Sequence, residues 1–306
     1  MNNLRIAVVG ALGAVGTEMI KTLERRQFPV SKLIPIDIPS LAGNEVKFRG
    51  KDVAVRAAGK GAFADVDIAL FSAGAEASIE LAPIAVSEGA VVIDNSSAWR
   101  MDPEVPLVVP EVNPDALDRH KGLIANPNCS TIQMVVALKP IHDAYRIKRV
   151  VVSTYQAVSG GGTAAINELK SQAEQFVNGE PIIVKVFPRQ ILFNAIPHID
   201  IFLKNGYTKE EMKMVDETHK ILGPDIEVSP TAVRIGVFRG HSESINIETE
   251  NGLSLVEVRE LLEATPGIKV MDDLNELRYP TALDAQAQDE VYIGRLRMDP
   301  TVAHGL

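Results

Sequence analysis

Cys129 is the only cysteine in the 306 residues, and its surroundings favour thiolate chemistry. In residues 125–133, ANPNCSTIQ, Pro127 disfavours helical geometry in the residue before it, and Asn128 is a good helix cap. Apolar residues then recur at helical spacing, so we expect Cys129 at or near a helix N-terminus. There the helix dipole and free N–H groups stabilise a thiolate, the nucleophilic form of cysteine. The alternative is a buried, inert cysteine, which would more naturally lie in an apolar run.

A glycine-rich turn near the N-terminus is a candidate cofactor site. Residues 4–9, LRIAVV, predict a strand, and the stretch that follows Gly16, through Met19, Ile20 and Leu23, predicts an amphipathic helix. Strand, turn and helix in this order begin a dinucleotide-binding βαβ unit, in which the glycines allow a tight turn and close approach to the pyrophosphate. A turn that binds nothing is the alternative. The candidate cofactor-binding residues here are Gly10, Ala11, Leu12, Gly13, Ala14, Val15 and Gly16.

Asp37 lies in the predicted second strand, 32–38, about twenty residues beyond the last glycine. A carboxylate at this place binds the ribose hydroxyls of NAD and repels the 2′-phosphate of NADP, so Asp37 favours NAD; an ordinary strand-end aspartate is the alternative. Strands at 68–72 and 91–94, separated by a helix over 77–88, extend a parallel sheet. Ligands bind at the carboxyl edge of such sheets. Further candidates at that edge are Ser72, Ala73, Gly74 and Arg100.

Composition and charge narrow the class of protein. The length and the 46% of hydrophobic residues predict two domains, with a boundary between residues 128 and 129. A net charge of -9 and scattered basic residues argue against a nucleic-acid partner. No apolar run approaches a membrane span, and the single cysteine and the lack of a signal-peptide pattern predict a cytoplasmic protein. The six histidines have no zinc-type spacing with Cys129, so we expect no metal site.

In the second half the regular alternation of strands and helices breaks down. Strands are predicted over 150–156, 231–237 and 244–248, and helices over about 163–178 and 209–222. Residues 182–186 and 191–193 are short strand or loop candidates. Glu217 and Lys220, three residues apart, share a face of the helix 209–222 and, taken alone, form an ordinary surface pair. These elements predict an α+β domain with a mixed or antiparallel sheet.

Several ordered motifs together resemble the aspartate-semialdehyde dehydrogenase family. The resemblance runs from the first residues to about Leu306 and is far more specific than the glycine turn alone. The motifs are GALGAVG at 10–16, DNSSAWR at 94–100, VPEVN at 109–113, NPNCST at 126–131, YQAVSG at 155–160, FN at 193–194 and GHSE at 240–243. The fold implied is α/β, with a Rossmann-type dinucleotide-binding domain over 1–128 and an α+β catalytic and dimerisation domain over 129–306.

The resemblance implies reductive dephosphorylation of L-aspartyl 4-phosphate to aspartate 4-semialdehyde, on the route to lysine, methionine and threonine. Cys129 would attack the acyl phosphate and expel phosphate, leaving a thioester that accepts hydride from the nicotinamide. His241 matches the family's general acid/base, and Gln156 matches the residue that orients the acyl intermediate.

Substrate-binding residues carry over in the same way. Arg234 matches the arginine that binds the substrate α-carboxylate, a task for a planar bidentate donor, and Glu217 would hold the α-amine. The residues that would bind the phosphate are Arg100, Asn128 and Lys220. A homodimer formed through the second domain is also implied.

The resemblance implies NADP as the cofactor, but the chain departs from the family after the second strand. Family members usually carry an arginine there, in a Ser-Arg-Ser-type turn that contacts the 2′-phosphate, whereas residues 37–43 read DIPSLAG. Without that arginine, and with Asp37 in place, we expect good use of NAD. Ser159 and Gly160 complete the set of candidate cofactor-binding residues.

Two alternatives stay open at this point. In the family the chain continues beyond the position that matches Leu306 into a strand and a helix, which return to the nucleotide domain. One alternative is therefore a truncated or non-catalytic homologue that binds nucleotide or a partner chain. Intact Cys129, Gln156, Arg234 and His241 argue against it. The other is a related acyl-phosphate reductase such as N-acetyl-γ-glutamyl-phosphate reductase. Glu217 argues against that one, because an acetylated amine does not need a carboxylate partner.

Overall fold

The chain divides into two compact units in the computed structural model, which describes residues 4–306. The first unit extends to Val108 and resumes over Asn113–Pro127, and the second comprises Val109–Val112 and Asn128–Leu306. Asn128 and the short segment Val109–Val112 therefore belong with the second unit. The predicted boundary between residues 128 and 129 is a single cut and does not include these residues in that unit.

The first unit alternates strands and helices. The predicted elements are present, with ends shifted by one or two residues, and a β-hairpin that the periodicity did not predict is inserted after the second strand. In chain order the elements are β1 (Leu4–Val9), α1 (Ala14–Arg25), β2 (Val30–Asp37), β3 (Glu45–Phe48), β4 (Lys51–Ala54), β5 (Arg56–Ala57), β6 (Ile68–Phe71), α2 (Ala75–Ser87), β7 (Val91–Asp94) and β8 (Leu123–Ala125).

A parallel sheet forms the centre of the first unit, in the order β5-β2-β1-β6-β7-β8. This is the third-second-first-fourth-fifth-sixth order of doubly wound dinucleotide-binding folds. β1 is buried from Ile6 through Val9, as a strand covered on both faces must be, which explains the uninterrupted apolar run over these residues. The order places the carboxyl ends of β1, β2 and β6 side by side, so the glycine turn, Asp37 and Ser72 share one edge.

The second unit begins with the helix that carries Cys129. Its elements in chain order are α3 (Cys129–Tyr145), β9 (Ile147–Gln156), α4 (Gly162–Val177), β10 (Ala195–Ile196), α5 (Lys209–Leu222), β11 (Glu227–Ile235), β12 (Ser242–Thr249), α6 (Leu255–Ala264), β13 (Ile268–Val270), α7 (Ala282–Ala285) and β14 (Val291–Ile293).

The main sheet of the second unit is mixed, as predicted, with the strand order β10-β11-β9-β12. β11 runs parallel to β9, whereas β12 runs antiparallel to β9 and β10 antiparallel to β11. Val150, Val152 and Ile247 on one face pack with Met134 of α3 and Met214 of α5 in a buried cluster. The register sets Arg234 opposite Gln156, so the two side chains project from the same face of the sheet.

The segments 182–186 and 191–193 are irregular, so of the two predicted possibilities the loop is the one found. Side chains of α4 replace a strand partner there: Gln172 Oε1 accepts hydrogen bonds from the N–H groups of Ile191 (3.2 Å) and Leu192 (3.0 Å), and Glu168 accepts one from Lys185 (3.0 Å). Buried backbone groups need partners but not a sheet. Among residues 4–306, no helix is both long and apolar enough to span a bilayer.

Candidate active site

Helix α3 starts at Cys129, which confirms the predicted position of the thiol at a helix N-terminus. Asn128 is the N-cap, with extended backbone geometry, and its Oδ1 accepts a hydrogen bond from the Ser130 N–H over 2.9 Å. Cys129 is exposed. The sulfur therefore stands at the positive end of the helix dipole and within reach of solutes, the two conditions that a thiolate nucleophile requires.

Two glutamates of α5 hold the Asn128 cap. Glu217 Oε2 accepts a hydrogen bond from the Asn128 backbone N–H over 2.6 Å, and Glu210 Oε1 accepts one from Asn128 Nδ2 over 3.0 Å. Asn128 is 6% exposed, Glu210 5% and Glu217 1%. The residue that begins the cysteine helix is thus fixed through both its main chain and its side chain.

Gln156, at the end of β9, is oriented by the carboxylate of Glu210. Its Nε2 donates to Ser130 Oγ over 2.8 Å and to Glu210 Oε1 over 3.3 Å, and the residue is buried. An amide nitrogen carries two hydrogens, and both have acceptors here. The side chain is consequently held beside the first turn of α3.

His241 precedes β12 and is fixed by the main chain of Ala157. The Ala157 N–H donates to His241 Nδ1 over 3.1 Å, so in the neutral ring the proton is on Nε2. Burial lowers the pKa of His241 to about 4, with a further contribution from the Arg234 cation and an opposing one from Glu210. His241 is therefore neutral near pH 7 and presents Nε2–H as a donor.

Arg234 of β11 is anchored on the same residue. Its Nη1 donates to the Ala157 carbonyl over 2.7 Å, and the side chain is buried. Burial lowers the pKa of Arg234, whereas the charges of Glu210 and Cys129 raise it. Since a guanidinium stays protonated even with a moderate downward shift, Arg234 is a buried cation close to both groups.

Gly160, within the 3₁₀ turn Val158–Gly161, leaves room for these side chains. A Cβ built on Gly160 would lie 2.9 Å from Arg234 Nη1 and 3.5 Å from His241 Nε2. Ser159 is in the same turn, where its N–H donates to the Phe238 carbonyl over 3.2 Å. Both candidate cofactor residues of the second unit thus lie in the turn beside Arg234 and His241.

In the first unit the glycine turn has the geometry of a dinucleotide site. Gly10 has a φ of +79°, and a Cβ there would lie 2.5 Å from the Ser72 carbonyl oxygen; at Gly16 a Cβ would lie 2.1 Å from the Gly10 carbonyl oxygen. Ala14, Val15 and Gly16 form the first turn of α1, which has Gly13 as its N-cap. Helix N–H groups that follow such a turn suit a pyrophosphate, so the residues present fit a bound dinucleotide.

Asp37 and Arg100, two further candidates of the first unit, form hydrogen bonds with backbone groups of the same unit. Asp37 Oδ2 accepts from the Leu12 N–H of the turn (3.0 Å), and Oδ1 accepts from the Ile38 N–H (2.9 Å). Arg100 is buried, with Nε donating to the Asn126 carbonyl and Nη2 to the Asn95 carbonyl, both over 3.0 Å. The segment of Ser72, Ala73 and Gly74 connects β6 to α2.

Sequence reasoning did not select Glu210 and Lys213, which the structure places in this network. Lys213 Nζ contacts Glu210 Oε2 at 3.0 Å. Burial acts to raise the pKa of Glu210, but Lys213 and the hydrogen bonds from Asn128 and Gln156 outweigh it, and the net shift is downward. The spacing could have identified this pair, because Glu210 and Lys213 are three residues apart, as Glu217 and Lys220 are. The first pair lies one heptad before the second on the same helix. Lys220 is half-buried near the end of α5.

Within residues 4–306, no three or more His, Cys, Asp or Glu side chains are grouped as a metal site would require. The chemistry available is that of an exposed thiol at a helix N-terminus, a neutral imidazole donor, a buried guanidinium and an acid–lysine pair. Such a set suits acyl transfer to sulfur on a substrate that carries negative charge.

Comparison with known proteins gives consistent results across the whole chain. Residues 5–120 match the family described as semialdehyde dehydrogenase, NAD binding domain, and residues 138–306 match semialdehyde dehydrogenase, dimerisation domain. The chain is 54% identical over 307 residues to the aspartate-semialdehyde dehydrogenase of Aquifex aeolicus, covering 99% of this chain and 90% of that protein. Against the protein of the same name from Bacillus subtilis the identity is 50% over 311 residues, with 99% and 90% covered.

A solved structure matches equally closely. The crystal structure of aspartate semialdehyde dehydrogenase II from Vibrio cholerae complexed with ASA superposes with a TM-score of 0.95 at 47% sequence identity, covering 100% of this chain and 91% of that one.

Proposed function

Since the chain belongs to the aspartate-semialdehyde dehydrogenase family, we propose that Cys129 is the nucleophile with which it converts L-aspartyl 4-phosphate to aspartate 4-semialdehyde. The observation that carries this proposal is the position of Cys129: exposed, first in α3, and close enough to Arg234 for the charges of the two groups to interact. The homologues favour this enzyme over a non-catalytic relative.

The proposed chemistry uses groups that are already oriented. The Cys129 thiolate attacks the acyl carbon, a C–S bond forms, and the C–O bond to phosphate breaks, leaving a thioester. A nicotinamide dinucleotide, when bound, would supply the hydride that reduces this thioester. His241 Nε2–H donates a hydrogen bond to the oxygen that becomes negative, and collapse of the thiohemiacetal returns the electron pair to sulfur and releases the aldehyde. Gln156 orients the acyl group beside the first turn of α3.

Arg234 is assigned to the substrate α-carboxylate. Its guanidinium is buried, and its Nη1 is fixed on the Ala157 carbonyl. A guanidinium held in this way offers its remaining N–H groups in a set direction, which suits a bidentate contact with a carboxylate. A buried cation is also costly without an anion, so carboxylate binding gives Arg234 a charge partner.

For the α-amine and the phosphate, the contacts support Glu210 and Lys213 alongside the predicted Glu217 and Lys220. Glu210 bonds to both Asn128 and Gln156, and its charge acts on Arg234 and His241. Glu217 is 1% exposed and contacts the Asn128 main chain, whereas Glu210 contacts Gln156 and interacts with Arg234 and His241, so direct contact with an amine favours Glu210. Lys213 is then the cation next to it for the phosphate, with Arg100 and Lys220 retained as predicted phosphate-binding residues.

For the cofactor we propose NAD in preference to NADP. Asp37 is fixed by two backbone N–H groups at the carboxyl end of β2, next to the glycine turn. A carboxylate held there accepts hydrogen bonds from the ribose hydroxyls and repels a 2′-phosphate. The turn that follows, Pro39–Leu41, offers no cation to offset that repulsion.

We further propose that the second unit forms a homodimer. The match of residues 138–306 to a dimerisation domain supports it. So does an exposed apolar surface, which we call the aromatic patch, made of Phe176 (56% exposed), Val177 (82%) and Phe193 (75%). The two rings meet edge to face at 4.9 Å. Large apolar side chains grouped in this way are typical of a contact with another chain.

The test is phosphate-dependent oxidation of aspartate semialdehyde by the 306-residue chain, with NAD and NADP compared. We expect turnover that depends on phosphate and is abolished in Cys129→Ala. Turnover that survived in this variant would refute the nucleophile, and a preference for N-acetylglutamate semialdehyde would refute the substrate assignment. Equal use of both cofactors would overturn the NAD proposal alone.

A further inference from the structure

Lys213 is shared between two carboxylates. Its Nζ lies 3.0 Å from Glu210 Oε2 and 2.9 Å from Asp200 Oδ2. The three side chains are 20%, 7% and 29% exposed, for Lys213, Glu210 and Asp200 respectively. One positive charge here faces two negative ones, so a phosphate dianion must compete with these carboxylates for the ammonium.

The two carboxylates differ in how firmly they are held. Glu210 is on α5 and also binds Asn128 and Gln156, so it cannot leave without disturbing the cap of Cys129. Asp200 lies in the irregular segment before α5, and its other oxygen accepts the N–H of the next residue, Ile201, over 2.9 Å. Asp200 is therefore the partner that Lys213 can exchange.

The backbone places Asp200 in this position at some cost. Asp200 has a φ of +67°, a left-handed conformation that is uncommon for residues other than glycine, though Asp and Asn tolerate it best. The segment then folds back on the start of α5: the Lys209 N–H donates to the Ile201 carbonyl over 2.8 Å, and Phe202 pairs with Thr208. These main-chain contacts with the start of α5 fix the turn that places the Asp200 carboxylate beside Lys213.

We propose that Asp200 is a positioning residue that acts through Lys213: it competes with the substrate phosphate for the ammonium and is displaced from Lys213 when the phosphate binds. This rests on the phosphate role of Lys213 given above. The phosphate replaces one carboxylate on the ammonium. The presence of Asp200 weakens phosphate affinity by competition.

The decisive variant is Asp200→Asn, which removes the charge but keeps a side chain that tolerates the left-handed backbone and can accept the Ile201 N–H. We expect the KM for phosphate in the oxidative direction to fall three- to ten-fold, with the KM for aspartate semialdehyde and the melting temperature unchanged. Asp216→Asn is the matched control: it removes one exposed carboxylate from the same helix region and should leave the phosphate KM as it is. A purely structural role for Asp200 would move the melting temperature and not split the two KM values.

Lys213→Met distinguishes a failure of the Asp200 inference from a failure of the proposed phosphate-binding role of Lys213. We expect its phosphate KM to rise at least ten-fold, and Asp200→Asn to give no further fall in the Lys213→Met background. If Lys213→Met raises the KM but Asp200→Asn leaves it unchanged or raises it, the positioning role is wrong and the phosphate role of Lys213 stands. If Lys213→Met has no effect on the phosphate KM, both are wrong. An equal fall from Asp200→Asn in both backgrounds would show general charge repulsion and would also overturn the positioning role.

Discussion

Arg234 passes so close to Gly160 that a Cβ on Gly160 would lie 2.9 Å from Nη1 of the guanidinium. The same Cβ would lie 3.5 Å from Nε2 of His241. A Cβ at position 160 would therefore fit only if the Arg234 guanidinium moved, whereas His241 would be in ordinary van der Waals contact with it. The constraint on position 160 is local to the site and does not arise from a positive φ.

Gly160→Ala tests this crowding. The methyl group must push Arg234 aside, so we expect the KM for aspartate semialdehyde to rise by at least ten-fold while the protein stays folded. Steady-state kinetics and a melting curve measure the two effects. Gly252→Ala is the control, because a Cβ there meets only His304, at 3.5 Å. Unchanged substrate KM in Gly160→Ala would show that Arg234 does not hold the substrate carboxylate in the observed position.

His241 should titrate far below an ordinary histidine. Burial, followed by the Arg234 cation, lowers the pKa of His241 to about 4, against about 6.5 when unfolded. Because the folded pKa is the lower one, the stability that neutral His241 contributes is present above pH 6.5 and is lost as the pH falls toward 4. An NMR titration of the imidazole resonances, assigned by their loss in His241→Gln, measures the midpoint, and a midpoint near 6.5 would contradict the buried, neutral ring.

Glu243 should make the protein less stable at alkaline pH. Both of its carboxyl oxygens are buried, and burial raises the pKa of Glu243 to about 8, although Gln133 favours the ionised form. The folded pKa is above the unfolded value of about 4.3, so the contribution to stability is complete below that value and is lost as the pH rises toward 8.

Glu243→Gln removes this dependence. The melting temperature of the variant should gain on that of the original chain between pH 5 and pH 8, whereas the difference for Glu263→Gln, an exposed glutamate of α6, should stay constant. A gap that did not widen with pH would mean that Glu243 is ionised in the folded protein.

Asp37→Ser tests the cofactor preference independently of turnover. Loss of the carboxylate should shift the ratio of the dissociation constants of NADH and NADPH toward NADPH by at least ten-fold, roughly 1.4 kcal/mol, because the repulsion of the 2′-phosphate is removed. Titration of the nicotinamide fluorescence gives both constants. Asp52→Ser, an exposed aspartate of β4, is the control for net charge. An unaltered ratio in Asp37→Ser would remove Asp37 from the discrimination.

Phe193→Asp tests the aromatic patch. A carboxylate at a contact between two copies would be buried without a partner and would oppose association, so we expect a shift from dimer to monomer in sedimentation velocity. Val256→Asp places the same charge at another exposed apolar site, on α6 and 65% exposed, and should leave the dimer intact. A dimer that survives Phe193→Asp would place the interface elsewhere on the second unit.

The start of α3 and the first strand–turn–helix were predictable because local chemistry determines them. Pro127 and Asn128 mark the helix entry whatever the rest of the chain does, and the glycine turn is specified by backbone geometry. The strands of the second unit were found with less accurate ends. Their register depends on pairing between residues almost 80 positions apart, such as Gln156 with Arg234, which no local pattern encodes.

The choice between two acid–lysine pairs could not be made from the sequence. Glu210 and Glu217 are one heptad apart, so they lie within about 20° on the same face of α5, and both do reach Asn128. Only the packing of α5 against α3 and β11 decides which carboxylate also meets Gln156. The periodicity of the sequence could not predict the irregular segment in which Asp200 contacts Lys213 either. The backbone hydrogen-bonding groups of that segment are paired by individual side chains and turns and not by a regular helix or strand.

The main chain of Ala157 binds His241 through its N–H and Arg234 through its carbonyl. Substitution of the side chain at 157 leaves both hydrogen bonds available, so the separation between imidazole and guanidinium is set by the path of the chain after β9. With the roles proposed for His241 and Arg234, that separation would limit how many carbons lie between the reacting carbonyl and the bound carboxylate. On these roles, we expect a longer homologous substrate to require a different path of the chain after β9, where the main chain of Ala157 holds both side chains.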